Sequence, residues 1–153
     1  MTFKKARNAA ALAAGWRSGL EERIAKELTD HPDCRWTYEA LRIPFTPPLK
    51  LRHYTPDFVL INNGIIIETK GRFVTADRQK LLFIQAEHPD LDIRLIFSNS
   101  KSRISKQSKT TYGDWCRHKG FQYADRSVPE AWIAEPANFN SMVAITRLSG
   151  WVL

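Results

Sequence analysis

The chain predicts a mixed α/β (α+β) domain, with a central sheet flanked by helices. Three observations carry that expectation. Apolar residues recur with helical spacing in some stretches and with two-residue spacing in others. Two apolar runs, Phe58–Ile61 and Ile65–Ile67, are joined by Asn62-Asn63-Gly64, a strong hairpin signal. Beyond the hairpin, helical and apolar strand segments alternate, as in a sheet with helical crossovers. The 153 residues suit one compact domain, read as spanning 1–153.

The elements follow in order. Residues 6–14 are alanine-rich, a good helix composition. Ser18-Gly19-Leu20-Glu21 fits a capping box, so a helix starts there or runs through from the alanines. It stops near His31-Pro32, because the residue before proline avoids the α region. Arg35–Ile43 alternates, with Trp36, Tyr38, Leu41 and Ile43, and predicts a strand. Pro44, Pro47 and Pro48 break regular pairing and make a stiff connection. Leu49–Tyr54 emerges from it as a short strand, followed by the hairpin strands Phe58–Ile61 and Ile65–Lys70.

Thr75 is the expected cap of a helix over Ala76–Glu87, which ends before Pro89. Ile93–Phe97 is a buried strand. Ser98–Lys109 carries four cations and no acid, and reads as a loop. Thr111–Lys119 is a short helix ended by Gly120. Phe121–Ala124 is a last strand, and Pro129–Ile133 a helical turn. From Pro136 onward no regular pattern shows, so 137–153 reads as an irregular tail.

Lys and Arg outnumber Asp and Glu by 23 to 16, a net charge of +7. That excess favours a polyanionic partner, nucleic acid first and an anionic membrane surface second. No basic amphipathic helix supports the membrane reading, and no apolar run is long enough to cross a bilayer. Cys34 and Cys116 lack zinc-site spacing and read as reduced thiols of a cytosolic protein. The four histidines are scattered, and none has a partner at i+4. The start, Met-Thr-Phe-Lys-Lys, has no signal-peptide core.

The informative residues are carboxylates where apolar side chains are expected. Ile24, Ala25 and Leu28 form the inward stripe of the first helix, and Glu21 lies on that same stripe. A core-facing carboxylate needs a partner. The plainer alternative is that Glu21 only completes the capping box with Ser18. In the hairpin, Glu68 and Lys70 share a strand face, and the turn brings the Asp57 end beside the Glu68 end. The plainer alternative there is a surface ion pair at strand ends.

Phosphodiester hydrolysis suits this set. Two carboxylates, Asp57 and Glu68, would hold Mg²⁺ (with Mn²⁺ able to substitute) and leave room for water and phosphate. The cation would acidify water and polarise the phosphoryl oxygen. Lys70 would orient the attacking water or steady the pentavalent phosphate, and Glu21, a third carboxylate on a neighbouring helix, would complete a second metal site. The string Pro56-Asp57, ten residues, Glu68-x-Lys70 is the PD-(D/E)xK nuclease pattern.

At these residues the sequence also resembles the bacteriophage endonuclease I family, the four-way (Holliday) junction-resolving enzymes of short-tailed phages. The matching stretches are Trp16–Glu21, Tyr54–Phe58, Glu68–Gly71, Glu87–Arg94 and Thr111–Gly113, in the same order. The resemblance implies a restriction-endonuclease-like fold and a catalytic set of Glu21, Asp57, Glu68 and Lys70. It implies a strand-exchanged, intertwined homodimer in which residues 44–54 form an inter-subunit bridge. Each composite site would take Glu21 from one chain and Asp57, Glu68 and Lys70 from the other. It further implies DNA recombination chemistry on branched DNA, in the cytoplasm of a bacterial host of a phage or prophage.

Two departures stand out. Family members end in a basic tail, whereas Asn138–Leu153 here has one charge, Arg147, and ends Trp151-Val152-Leu153. Their N-terminal segment is glycine-rich and basic, whereas this one is alanine-rich. The apolar tail is expected to pack on the dimer. DNA backbone contacts are expected from Arg17, Arg72, Arg78, Lys80, Lys101, Arg103, Lys106 and Lys109, reading branch shape rather than sequence. Two other functions stay open at this point: a PD-(D/E)xK nuclease of plain or mismatched duplex, and a non-catalytic DNA-binding module.

Overall fold

The computed structural model describes residues 15–47 and 50–153. The alanine-rich stretch 6–14 and the prolyl-leucyl pair at 48–49 lie outside them. The elements are α1 (Gly19–Asp30), β1 (Trp36–Tyr38), β2 (Ile43–Phe45), β3 (Arg52–Tyr54), β4 (Phe58–Leu60) and β5 (Ile65–Lys70). Then follow α2 (Thr75–Glu87), β6 (Asp92–Phe97), α3 (Tyr112–Lys119), β7 (Tyr123–Asp125), α4 (Glu130–Ala134) and α5 (Phe139–Ser149).

Five strands form one mixed sheet in the order β1-β4-β5-β6-β7, and β2 pairs with β3 in a separate two-stranded sheet. β1, β4 and β5 are antiparallel, while β5, β6 and β7 are parallel. The hairpin forms as the sequence predicts, with Phe58 opposite Ile67 and Leu60 opposite Ile65. Gly64 closes its turn at φ +76, and a β-carbon there would meet the Met142 side chain at 2.8 Å. So both the backbone and the packing require glycine.

The pleat sorts the core onto two faces. One face carries Val59, Ile66, Leu95 and Phe97 and is covered by residues of β2–β3, α2, α3 and α5. The other carries Phe58, Leu60, Ile65, Ile67 and Ile96 and is covered by α1 through Ile24, Ala25 and Leu28, and by Trp132 of α4. β5 reads Ile-Ile-Ile and is buried on both sides, as a strand between two layers must be.

Two expectations change. The predicted strand Arg35–Ile43 is two strands, because Glu39 adopts a positive φ of 45 and breaks the ladder. The segment after Pro136 is not irregular. Asn138 caps α5 by accepting from Ser141 N, and Gly150 ends the helix at φ +75. Ala144 and Ile145 are buried, with Leu148, Trp151 and Leu153 packed against the same core of this chain. Ser141 Oγ donates to Gly64 O at 2.6 Å and accepts from Asp92 N at 3.1 Å, fastening α5 to the hairpin end of the sheet. Its polar spacing hid the helix: Asn140, Ser141 and Thr146 dilute the apolar stripe, and Ser141 faces the core.

Candidate active site

One step beyond the Phe58–Ile67 pair, the hairpin register brings Asp57 level with Glu68. Asp57 is 9 % exposed and Glu68 3 % exposed, so both carboxylates have left bulk water. Asp57 Oδ2 accepts from Thr69 N and from Thr69 Oγ1, each at 2.7 Å. Glu68 Oε2 accepts from the Tyr54 hydroxyl at 2.6 Å, and Glu68 Oε1 faces Lys70 Nζ at 2.8 Å. Asp77, in the first turn of α2, stands 3.6 Å from the same ammonium.

The cluster is electrostatically tense. Burial first, and the Glu68 charge second, push the Asp57 carboxyl up to about 7, against the pull of the two Thr69 hydrogen bonds. Burial opposes the charge on Lys70, but the Glu68, Asp77 and Asp57 carboxylates together outweigh it and raise the ammonium above the ordinary lysine value. Burial and the Glu68 charge drive the Tyr54 phenol well above its usual value, so it stays a donor. The arrangement is two buried carboxylates, an ammonium paired with one of them and facing Asp77, and an Asp57 carboxyl held reluctant to ionise. A positive charge would settle there favourably.

Glu21 stands at the N-terminal end of α1. Ser18 Oγ accepts from Glu21 N at 3.2 Å, as the capping box requires. The reciprocal half differs: Glu21 Oε2 accepts from Arg17 N at 2.9 Å and from Tyr38 Oη at 2.7 Å. Its charge reaches Asp57 of the same chain. Among the described residues, no group of three or more His, Cys, Asp or Glu side chains is arranged to hold a metal. The single chain thus brings Asp57, Glu68 and Lys70 together, with Glu21 nearby but held by Tyr38.

The family model for phage endonuclease I matches residues 1–150. The chain belongs to the phage endonuclease I family. It is 47 % identical over 121 residues to Endodeoxyribonuclease 1 of Enterobacteria phage T3, covering 79 % of this chain and 78 % of that protein. It is 43 % identical over 121 residues to Endonuclease I of Escherichia phage T7, covering 79 % and 80 % respectively. Membership makes the chain an endonuclease, and a mixed sheet between helical layers is a fold that suits one.

Around the Asp57–Glu68–Lys70 cluster the expected cations separate. Lys101, Arg103, Lys106 and Lys109 are all exposed, on a loop that leaves the same sheet end as Lys70, since Lys70 pairs with Phe97. That loop is built rather than slack. Asp125 accepts from Ser100 N and Ser100 Oγ at 2.6 and 2.7 Å, Ile104 N donates to Thr110 O, and Arg103 bridges to Thr111. Arg72 is exposed, Lys80 is half-buried, and Arg17 pairs with Glu39 at 2.9 Å while keeping most of its side chain in solvent. Arg78 is a correction: it is buried, donates to Phe73 O and to Thr75 Oγ1, and cannot present its charge to a phosphate. Its place on the second turn of α2 turns it inward.

Sequence reasoning missed Thr69, Tyr54, Tyr38 and Asp77. Thr69 was legible as the residue between Glu68 and Lys70, but its bond to Asp57 is a cross-strand contact. Tyr38 and Tyr54 enter the sequence reading as strand residues, and Asp77 falls within the Ala76–Glu87 helix with no role of its own. Arg126 was also missed. It is exposed, has a φ of 68, and follows Asp125, which pairs with Phe97 at the same sheet end as Lys70.

Proposed function

We propose that the protein is a Mg²⁺-dependent, structure-selective DNA endonuclease that resolves four-way junctions by paired phosphodiester hydrolysis. The observation that carries the reading is the buried Asp57–Glu68 pair with Lys70 at 2.8 Å, in a chain 47 % identical to an endodeoxyribonuclease. The donor set fits a hard divalent cation, because its nearest groups are carboxylate oxygens and no thiol or imidazole stands among them. Asp57 and Glu68 would hold it, and when bound it supplies Lewis acidity to water and phosphate.

The chain's own residues do the rest. Thr69 fixes one Asp57 oxygen and leaves the other to a ligand. Tyr54 fixes Glu68. Lys70 stands where it can orient the attacking water and oppose charge on the phosphoryl oxygens. The basic loop, Arg72 and Arg17 contact backbone phosphates on either side, recognising branch shape.

The active form is an intertwined homodimer in which residues 44–54 form the bridge. In the single chain β2 folds back on β3, pairing Ile43 with Tyr54 and Phe45 with Arg52. If that segment, stiffened by Pro44 and Pro47, extends instead, α1 and β1 can make their same contacts with β4 of a second subunit. Glu21 of one subunit then serves Asp57, Glu68 and Lys70 of the other, giving two sites for two cuts. No helix among the described residues is long and apolar enough to cross a membrane. The substrate places the work in the cytoplasm of an infected or lysogenic bacterium.

The test is cleavage of a labelled immobile four-way junction and a matched duplex, with and without Mg²⁺, alongside Lys70→Ala. Paired Mg²⁺-dependent cuts in the junction alone, absent in the variant, are expected. Equal cutting of the duplex would remove junction selectivity, and no cutting of either would leave a DNA-binding module.

A further inference from the structure

We propose that Asp77 is a positioning residue: it gives Lys70 a second carboxylate to hold when a divalent cation takes Glu68. The inference rests on the reading of Asp57 and Glu68 as the cation site. Both Glu68 oxygens are engaged in this structure, Oε2 by the Tyr54 hydroxyl at 2.6 Å and Oε1 by Lys70 Nζ at 2.8 Å. A cation held by Glu68 would compete with the ammonium for Oε1, because two positive charges on one oxygen repel each other.

Lys70 is largely buried, and a buried ammonium without a carboxylate is costly. Asp77 Oδ1 is already 3.6 Å from Nζ, from a different element than Glu68. A small swing of the lysine side chain exchanges one partner for the other, and the charge stays beside the cation site.

The surroundings hold Asp77 ready. Lys80 Nζ lies 4.0 Å from the same Asp77 oxygen. The Lys80 ammonium also stands 5.2 Å from the centre of the Tyr54 ring, whose hydroxyl holds Glu68. So Glu68, Lys70, Asp77, Lys80 and Tyr54 form one closed circuit drawn from β3, β5 and α2. The first turn of α2 adds its own preference for a negative charge at Asp77. A helix-end charge alone would need neither the approach to Lys70 nor this circuit.

The experiment is Mn²⁺ binding by titration calorimetry, without DNA, on the full chain and on Asp77→Asn, Lys70→Met and the double variant. With Lys70 present, Asp77→Asn should weaken Mn²⁺ binding about fivefold or more; with Lys70→Met it should weaken it less than about twofold. Equal weakening in both backgrounds would show that Asp77 acts through its bare charge, and would overturn the proposal. No weakening beside Lys70 would overturn it too. If Asp77→Asn lowers the melting temperature, Asp77→Ser, which also suits a helix's first turn, replaces it, and Asp77→Glu should restore binding. Failure of the parent chain to bind Mn²⁺ would instead strike the cation site itself, and is told apart by that single titration.

Discussion

The central sheet buries two charged clusters, one on each face, from nearly the same ingredients. On one face Asp57 and Glu68 lie side by side, with Lys70 paired to Glu68. On the other, Arg94 of β6 stands between Asp92 and Glu135. Arg94 is 2 % exposed and meets both carboxylates in fork geometry, with bonds of 2.8 and 2.7 Å to Asp92 and of 2.7 and 2.6 Å to Glu135. Its guanidinium also lies 5.1 Å from the centre of the Trp132 ring. The Arg94 hydrogen bonds hold Glu135 below its ordinary carboxylate range, so that cluster is content as charged. Across the sheet Asp57 is pushed up to about 7 and keeps an oxygen for something else. Residue types alone do not separate a structural ion network from a site; unmet electrostatic demand does.

That contrast is sharpest if one cation is removed from each cluster. Lys70→Ala should leave a folded protein that cleaves about a thousandfold more slowly, because a group opposing transition-state charge is lost. Junction cleavage under single turnover measures it, with the melting temperature as control. Arg94→Met should do the reverse. It leaves Asp92 and the more exposed Glu135 without their partner and should cost about 1–2 kcal/mol of stability, read from urea unfolding, while cleavage per folded molecule stays near the parent value. Loss of activity without loss of stability in Arg94→Met would erase the distinction.

Asp57 allows a finer cut. Its folded value lies above the ordinary carboxylate value of 3.8. At low pH both folded and unfolded carboxyls are protonated and the group costs nothing. As pH rises towards 7 the unfolded chain gives up its proton first, so stability drains away through that window and stays reduced above it. In chelator, Asp57→Asn should therefore melt above the parent at pH 8 by an amount on the order of a few kcal/mol, and equal it at low pH. Cleavage should be abolished in the same variant. Parallel melting curves for the two proteins across pH would mean that the carboxyl is not strained.

Much of this was legible in the sequence, and the reasons differ by region. The hairpin was readable because Asn62-Asn63-Gly64 and two apolar runs fix its register, and the register alone aligns Asp57 with Glu68. Glu21 was readable because it breaks an apolar stripe. The Arg94 cluster was not, since Asp92, Arg94 and Glu135 are joined by folding across 41 residues of chain. The α5 helix hid for the same reason: Ser141 is polar but buried, and only the fold supplies Gly64 O and Asp92 N as its partners. Arg78 misled because its charge is answered by backbone and threonine oxygens that sequence does not place.

The smallest expected effect concerns the loop that leaves the sheet at the same end as Lys70. Lys101 and Arg103 are exposed, but their backbone is held by Asn99, Thr110, Thr111 and the Ser100–Asp125 contact. An anchored cation can be placed against a phosphate at little ordering cost, whereas a slack one cannot. If the loop lies on DNA, Lys101→Ala and Arg103→Ala should each weaken junction binding modestly and flatten the slope of log affinity against log salt by about one. Ser100→Ala, which leaves the charges and removes one tether, should weaken binding while leaving the slope nearly unchanged. A slope unmoved by either charge deletion would take the loop off the DNA, leaving Arg72, Arg17 and Arg126 to hold the strands beside the cut.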